Sequence, residues 1–553
     1  MEKIQIFSEN LGRYIEVDGG ENLASIAAGM HLDFEPVCAR VNNKTEGLHY
    51  CIYHPKTVRF VSADSPSGQR AYVRSLCMLL YCAVRRVMPE AQLQIQHSIQ
   101  RGYYCTLGDV AGYIPVTPRL LAEISAEMRR MVEADMPIEH CEERTEDVVK
   151  IFRRQNLDDK VLLLETMHQP YTVYCRLGDV CDSYYGALVP RTGLLRTFDL
   201  RAYKKGFILL ASKAAIMEPE LPQEKMYKAF TEYVDFNNIL GVRNVGEMNR
   251  MVQNRRAADL INVAEALHNK YIAQIADEIT RRHRAGGARV VLIAGPSSSG
   301  KTTTTKRLAI QLMTNLLKPQ MISLDDYFIN RHLTPLDENG DYDYESLYAL
   351  DLKQFNDDLN RILHGEEVEL PYYNFERGER EYRGNRVKLA KGGVLLIEGI
   401  HGLNPELTAS IAEDMKFRVY VSALTTLTID RHNWVPTTDN RLLRRIVRDY
   451  KYRGISARES IRRWPSVRRG EERWIFPYQE NADATFNSSL LFELGAIRKY
   501  AERILEDVHS DEEEYSEAYR LRRFLMHFEP IPDELIPPTS LLREFLGGSS
   551  FHY

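Results

Sequence analysis

The 553-residue chain reads as a multidomain α/β protein whose back half is a doubly wound parallel sheet behind a phosphate-binding loop. Three observations predict this. The length exceeds what one hydrophobic core serves and points to about three domains. The stretch IAGPSSSGKTTTTKRLA at 293–309 joins a β-branched apolar run, ARVVLIAG, to helical apolar spacing through Leu308, Leu312 and Leu316. Further apolar runs, PQMISL, GGVLLIEG and FRVYVSA, alternate with helical stretches, as parallel strands with crossover helices do.

The loop matches G-x-x-x-x-G-K-[ST] through Gly295, Gly300, Lys301 and Thr302. Strand, glycine-rich turn and helix suit the chemistry, because backbone N–H groups and a helix N-terminus cradle phosphates. Gly295, Pro296, Ser297, Ser298, Ser299, Gly300, Lys301, Thr302 and Thr303 form the expected nucleotide cradle for ATP or GTP. Lys301 is expected at the β- and γ-phosphates and Thr302 at Mg²⁺. PQMISL ends on Asp325 and Asp326, and GGVLLIEG ends on Glu398. Strand carboxyl ends are where ligands of such sheets collect, so Asp325 and Glu398 are candidates to hold Mg²⁺ or to take a proton. Arg441, Arg444, Arg445 and Arg448 share one helical face, and more arginines follow as far as Arg473. Here the expectation is a lid that clamps a transferring phosphoryl group.

Composition is that of a globular protein, 44% hydrophobic and 27% charged, with a net charge of −5. Nothing in the global charge asks for nucleic acid or membrane as a partner. No apolar run approaches the roughly 18 residues that span a bilayer, and MEKIQIFSEN lacks a signal-peptide pattern, so cytoplasmic localisation is the expectation. All eight cysteines fall from Cys38 to Cys181 without C-x-x-C spacing, and they are expected to be reduced, mostly buried small hydrophobes with no zinc-ribbon or redox site.

From about 286 to 505 the chain resembles a uridine kinase of the phosphoribulokinase/uridine kinase family. The segments that carry the resemblance are GPSSSGKTT, SLDDYF, YDYESLYALD, PYYNF, LLIEGIHGL and RLLRRIVRDYKYRG, in the family's order. The resemblance implies a P-loop kinase and assigns roles by position. Asp325 is the base facing the acceptor hydroxyl, and Asp343 holds ribose hydroxyls. Tyr373 matches an aromatic near the base, and Tyr342, to which the resemblance assigns no role, can add aromatic surface. Glu398 is a Mg²⁺-associated carboxylate, and Arg445, Arg448 and Arg453 contact substrate and phosphate. Two departures stand out. The family usually places a His five residues after that Tyr, where this chain has Gly378, beside Arg377. An insertion, TIDRHNWVPTTDN, also precedes the arginine helix.

The front of the chain resembles the start of threonyl-tRNA synthetases. KIQIFSENLGRYIEVDGGENLASIAAGM reads as two strands and a helix, and PVCARVNNKTEGL as a strand and a turn. Residues 1–63 look like a β-grasp TGS module. Residues 64–230 look like the α+β editing domain that follows it, through AYVRSLCMLLYCAV, RGYYCTLGD and YCRLGDVCDSYYGALVPRTG. That domain carries H-x-x-x-H and C-x-x-x-H pairs, but the positions here hold Arg74 and Met78, then Tyr184 and Leu188. The implied outcome is a scaffold without editing chemistry, with His97, His140 and His168 structural. Residues 231–285 read as a helical connector, 286–505 as the kinase, and 506–553 as an acidic, then Pro-punctuated tail that docks on the body.

The resulting expectation is a nucleoside kinase acting on a 5′-hydroxyl, uridine or cytidine first. The alternatives are a kinase of another small hydroxylated metabolite, or a translation-linked nucleotide switch or RNA-binding protein. An [NT]-K-x-D motif is missing from the back half, and DENG at 337–340 follows no apolar strand, which disfavours a guanine-specific switch. The expected partner is the nucleoside. The sequence leaves a homo-oligomer open, and a nucleic-acid contact only through the N-terminal region.

Overall fold

The structure, a computed structural model, describes residues 2–109, 112–338 and 340–552. Asn339, within the DENG stretch, lies outside them. Among the described residues no helix is long and apolar enough to cross a membrane.

The first unit is a mixed sheet in the order Arg13–Asp18, Lys3–Ser8, Thr57–Val61, Cys38–Val41, Lys44–Glu46. Its central pair, Lys3–Ser8 and Thr57–Val61, is parallel and the flanking pairs are antiparallel. The helix Leu23–Ala28 is capped by Asn22, whose side chain accepts from Ser25 N, and it buries Leu23 and Ile26. Asn42 and Asn43 take the positive φ that the tight turn needs.

The second unit wraps an almost wholly buried helix, Pro66–Val87. One sheet contains Gln92–Ile99, Gly102–Asp109, Gly206–Leu210 and Asp199–Tyr203; a second contains Glu139–Arg144, Tyr171–Leu177 and Val180–Asp182. The helix is covered on several sides and therefore reads as nearly continuous apolar sequence rather than one stripe.

The back half is a five-stranded, all-parallel sheet. Its strands are β1 (Val290–Ala294), β2 (Lys318–Ser323), β3 (Gly393–Glu398), β4 (Lys416–Ser422) and β5 (Ala484–Asn487), in the spatial order β2-β3-β1-β4-β5. Strand residues alternate between two cores. Val291 and Ile293 join one apolar cluster with the helices α1 (Lys301–Thr314), α2 (Thr437–Arg453) and Ala257–Arg284, whereas Val290 and Leu292 join another with the helix Leu352–Leu363. Both faces are therefore covered, as a doubly wound sheet requires. The chain winds one way from β1 to β2 and the other way from β3 to β4, so the crevice opens between the ends of β1 and β3.

The halves are bolted together by the insertion. Thr428–Asp430 and Asn433–Trp434 form a small hairpin that docks on the front half: Ile95 N donates to Arg431 O at 2.7 Å, and Trp434 packs on Tyr103 with centroids 4.5 Å apart. At its centre Lys160 Nζ lies 2.8 Å from Asp182 and 2.9 Å from Asp430, and His432 Nδ1 lies 2.7 Å from Asp182, all at 1% exposure or less. Burial opposes the charge on Lys160, but Asp182, Asp430 and Asp159 outweigh it and hold the ammonium above its ordinary range.

Candidate active site

The phosphate loop leaves β1 at Ala294 and enters α1 at Lys301. Gly295 is required because a Cβ there would lie 2.0 Å from Val421 O on the neighbouring strand. Gly300 closes the turn at φ 83°, and Ser298 takes a positive φ of 58° without being glycine. Such a residue persists only where its surroundings over-determine it, and here they do. Arg441 Nε donates to Ser297 O at 2.9 Å and also pairs with Glu471, while Glu471 accepts from Ser297 N at 3.1 Å. Arg444 donates to Ser298 O at 3.3 Å and pairs with Glu493 at 2.5 Å. Ser488 Oγ donates to Ser299 O at 2.5 Å. Arg441 and Arg444 are 1% and 0% exposed. The sequence expectation of one arginine lid is thus corrected: these two are braces under the loop, Arg444 paired with Glu493 and Arg441 sharing Glu471 with Arg468.

Around the loop the expected groups converge. Lys301 Nζ donates to Pro296 O at 3.2 Å, folded back along the cradle. Thr302 Oγ1 donates to Glu398 Oε1 at 3.2 Å across the crevice. Burial and the neighbouring Asp325 push the Glu398 carboxyl up to about 7. A partly buried carboxylate that resists its own charge, with a second carboxylate beside it and a threonine hydroxyl bonded to it, fits a hard cation held by oxygen donors. Asp325 sits in the 3₁₀ turn Leu324–Tyr327 at the end of β2, within electrostatic reach of Glu398, Glu345 and Arg453. Asp326 turns the other way and accepts from Tyr373 N at 3.4 Å, and burial pushes it up to about 6.

Arg445, Arg448 and Arg453, on the last turns of α2, share one carboxylate. Asp449, 0% exposed, lies 3.3 Å from Arg445, 2.8 Å from Arg448 and 3.5 Å from Arg453. Arg445 also donates to Ser297 Oγ at 3.0 Å. Repulsion from Arg448, then burial, brings Arg453 down to about 10. Three guanidiniums on one carboxylate leave a net positive face beside Asp325, the arrangement that stabilises a developing phosphoryl charge.

The acceptor side is less uniform. Asp343 Oδ1 accepts from Glu345 N at 3.2 Å. Tyr342 is 40% exposed and faces Tyr344 at 6.0 Å. Tyr373 is 3% exposed, packed on Phe328 and Phe375 at 5.5 and 5.0 Å, so Phe375, at 50%, presents the open ring, with Arg453 at 5.7 Å. At Gly378, φ 71°, a Cβ would lie 2.7 Å from Arg331 Nε. The missing imidazole is therefore space given to a guanidinium, and Arg331 Nη2 donates to Phe375 O at 2.6 Å. Arg377 pairs outward with Glu381 at 3.7 Å.

Sequence reasoning also missed Glu345, Glu471, Asp449 and Glu544. Glu345 and Glu471 are acids whose partners lie far away in the chain, whereas Asp449 sits among its three arginines on α2. Burial, then Glu471, pushes Glu345 up to about 7. Glu544 comes from the tail. Its carboxylate accepts from Thr303 N at 3.2 Å and Thr303 Oγ1 at 2.6 Å. The short tail helix Arg543–Leu546 places Leu541 against Gly300 and Leu546 O on Lys451 at 2.5 Å. A carboxylate thus occupies an anion position at the start of α1.

Residues 290–490 match the Phosphoribulokinase / Uridine kinase family. The front part matches threonine–tRNA ligases. That of Desulforamulus reducens is 30% identical over 167 residues, 30% of this chain and 26% of that one, and that of Acidithiobacillus ferrooxidans is 30% identical over 212 residues, 37% and 32%. The chain spans about a quarter to a third of the length of these relatives. Among solved structures, one described as a possible uridine kinase from Bacillus stearothermophilus gives a TM-score of 0.26 at 21% identity, covering 39% of this chain and 98% of that one. A D-glycerate 3-kinase from Cryptococcus neoformans gives 0.23 at 14%, covering 48% and 89%.

Proposed function

We propose that this chain, whose residues 290–490 are a Phosphoribulokinase / Uridine kinase family domain, transfers the terminal phosphoryl group of ATP or GTP to the 5′-hydroxyl of a nucleoside, uridine or cytidine first, in the cytoplasm. The observation that carries the reading is the meeting of four groups at one crevice: Lys301 of the loop, Thr302 bonded to Glu398, Asp325 beside Glu398, and the Arg445–Arg448–Arg453 face.

The loop N–H groups and Lys301 bind the phosphates. Thr302 and Glu398, with Asp325 beside them, would hold Mg²⁺, which when bound neutralises phosphate charge. Asp325 accepts the proton of the attacking hydroxyl, and its freedom from the backbone contact that ties Asp326 suits it to that role. Arg448 and Arg453 meet the charge that builds on the transferring group. Asp343 receives ribose hydroxyls, and Phe375 and Tyr342 offer open aromatic surface. Because Gly378 removes the imidazole, the base edge is read weakly and the ribose strongly.

The test is a panel of nucleosides, deoxynucleosides and phosphorylated sugars with ATP and with GTP, read by product mass. The expected product is a ribonucleoside monophosphate, with 2′-deoxyribose disfavoured more than a change of base. Phosphorylation of a sugar phosphate and of no nucleoside would move the reaction to another acceptor of the same chemistry.

A further inference from the structure

A cavity of about 2080 Å³ separates the front half from the loop-bearing half. Its walls include Arg70, Arg74, Tyr103, Tyr184 and Gly186 on one side and Pro296 of the phosphate loop on the other. Arg74 and Tyr184 are two of the positions where the resemblance to the synthetase would place metal or catalytic ligands, and the structure brings those positions together. Arg74 Nη1 donates to Ala187 O at 2.8 Å, and Val189 N donates to Ser75 Oγ at 2.9 Å, closing the segment 184–189 onto the helix Pro66–Val87.

The charge balance there is unusual. Arg70 is neutralised by Glu517 at 2.9 Å, and Arg520 by Asp439 and Glu517 at 2.6 and 2.5 Å. Arg74 has no carboxylate within ion-pair distance among the described residues, and its one hydrogen bond there is the carbonyl of Ala187. Burial, then the like charges of Arg70 and Arg520, bring it down to about 10. Gly186, at φ 133°, lets the backbone lie flat against the guanidinium, since a Cβ would sit 2.7 Å from its central carbon. On the same wall the Tyr184 hydroxyl is buried, in a side chain 7% exposed, near the Asp182 carboxylate but without a hydrogen bond of good geometry. A half-buried guanidinium without a counter-ion and a buried hydroxyl without a well-formed hydrogen bond each carry a cost. Both costs disappear if one ligand carrying acceptor oxygens and negative charge meets them.

We propose that the front half binds a small organic anion, a carboxylate or a phosphate ester, through Arg74 and Tyr184, in the pocket where the synthetase resemblance would place a metal. Arg74 supplies a planar fork of donors suited to two oxygens of one group. Tyr184 donates a third hydrogen bond, and Tyr103 offers apolar surface to the body of the molecule. The site is independent of the nucleotide cradle, although Pro296 of that cradle borders the same cavity.

The test uses the full chain carrying Lys301→Ala, so that the phosphate loop does not contribute. Inorganic phosphate and citrate are titrated by calorimetry as the phosphate and carboxylate probes. At least one is expected to bind saturably, and adding Arg74→Gln should weaken it tenfold or more, with Tyr184→Phe weakening it less. The thermal midpoint of Arg74→Gln should equal or exceed that of its parent in the absence of anion, because an uncompensated charge has been removed. A lowered midpoint with unchanged anion affinity would mean that Arg74 only braces Ala187 and would overturn the proposal. Absence of saturable binding by both probes would overturn it too. Tighter binding of a single-stranded RNA oligonucleotide than of either probe, lost in Arg74→Gln, would reassign the pocket to nucleic acid.

Discussion

The bolt between the two halves and the clamp beside the phosphate loop are both buried clusters of cations and carboxylates, yet they balance differently. In the bolt one ammonium, Lys160, faces Asp182 and Asp430, and His432 closes on Asp182. Each of these side chains has an oppositely disposed partner within the chain, and burial with the neighbouring Asp159 and Asp182 raises the Asp430 carboxyl. In the clamp Arg445, Arg448 and Arg453 divide a single Asp449, so part of the positive charge stays available. The braces Arg441 and Arg444, on the same helix as the clamp, each meet a buried glutamate, Glu493 for Arg444 and Glu471, shared with Arg468, for Arg441. Matched charges hold architecture together; unmatched ones wait for a ligand.

The comparison can be broken at the bolt. Asp182→Asn removes the carboxylate on His432 and one of the two on Lys160 and should lower the unfolding free energy by about 1–3 kcal/mol, while turnover per folded molecule stays near wild type. Urea titration together with initial rates measures both. A large loss of turnover at unchanged stability would place Asp182 on the functional side. Lys301→Ala should do the opposite: turnover falls by about 10² or more and the midpoint of unfolding barely moves. Near-normal turnover in the folded variant would remove the loop from the mechanism.

A titration sharpens the same contrast. Burial holds Glu398 at about 7, above the ordinary 4.5. A carboxyl raised in the folded state stabilises it fully below the ordinary value, and that stabilisation is lost as pH rises toward 7. In the absence of nucleotide and metal, the stability of wild type relative to Glu398→Gln should therefore decline between pH 4.5 and 7, by about 1–2 kcal/mol after screening. A flat difference across that window would show that Glu398 is already matched. The smallest effect belongs to the tail. Glu544→Gln weakens a competing anion at Thr303 and should tighten nucleotide binding a few fold, on the scale of about 1 kcal/mol for one hydrogen bond to charge. Weaker nucleotide binding would instead make Glu544 part of the nucleotide site.

The parallel sheet was legible because β1, β3 and β4 are continuous apolar runs, and the loop because its glycines are dictated by close backbone approach and positive φ. The short strand β5, Ala484–Asn487, was not, since four residues with one large apolar side chain carry no periodicity. The arginine helix was recognised as one face, but its division into braces and clamp depends on Glu471 and Glu493, whose positions only the fold reveals, and on Asp449, which lies on the same helix and was legible at i, i+4 spacing but overlooked. Tyr373 was placed beside the acceptor, whereas packing buries it and exposes Phe375. The insertion at 428–440 read as a departure from a family pattern; its role in joining the halves lies in contacts with residues some 250 positions earlier. The loss of the front pocket's ligand pairs was visible in sequence. The unmatched charge that Arg74 brought in their place was not.

The central claim is that phosphoryl transfer happens at the carboxyl edge of the back-half sheet with Asp325 as the base. The most direct measurement compares ATP-dependent nucleoside monophosphate formation by wild type, Asp325→Asn and Asp326→Asn, with nucleotide affinity measured alongside. The account predicts that Asp325→Asn lowers kcat by about 10²–10⁴ with ATP affinity nearly intact, and that Asp326→Asn, whose partner is the backbone N–H of Tyr373, is far milder. A collapse in Asp326→Asn with Asp325→Asn close to wild type would contradict it.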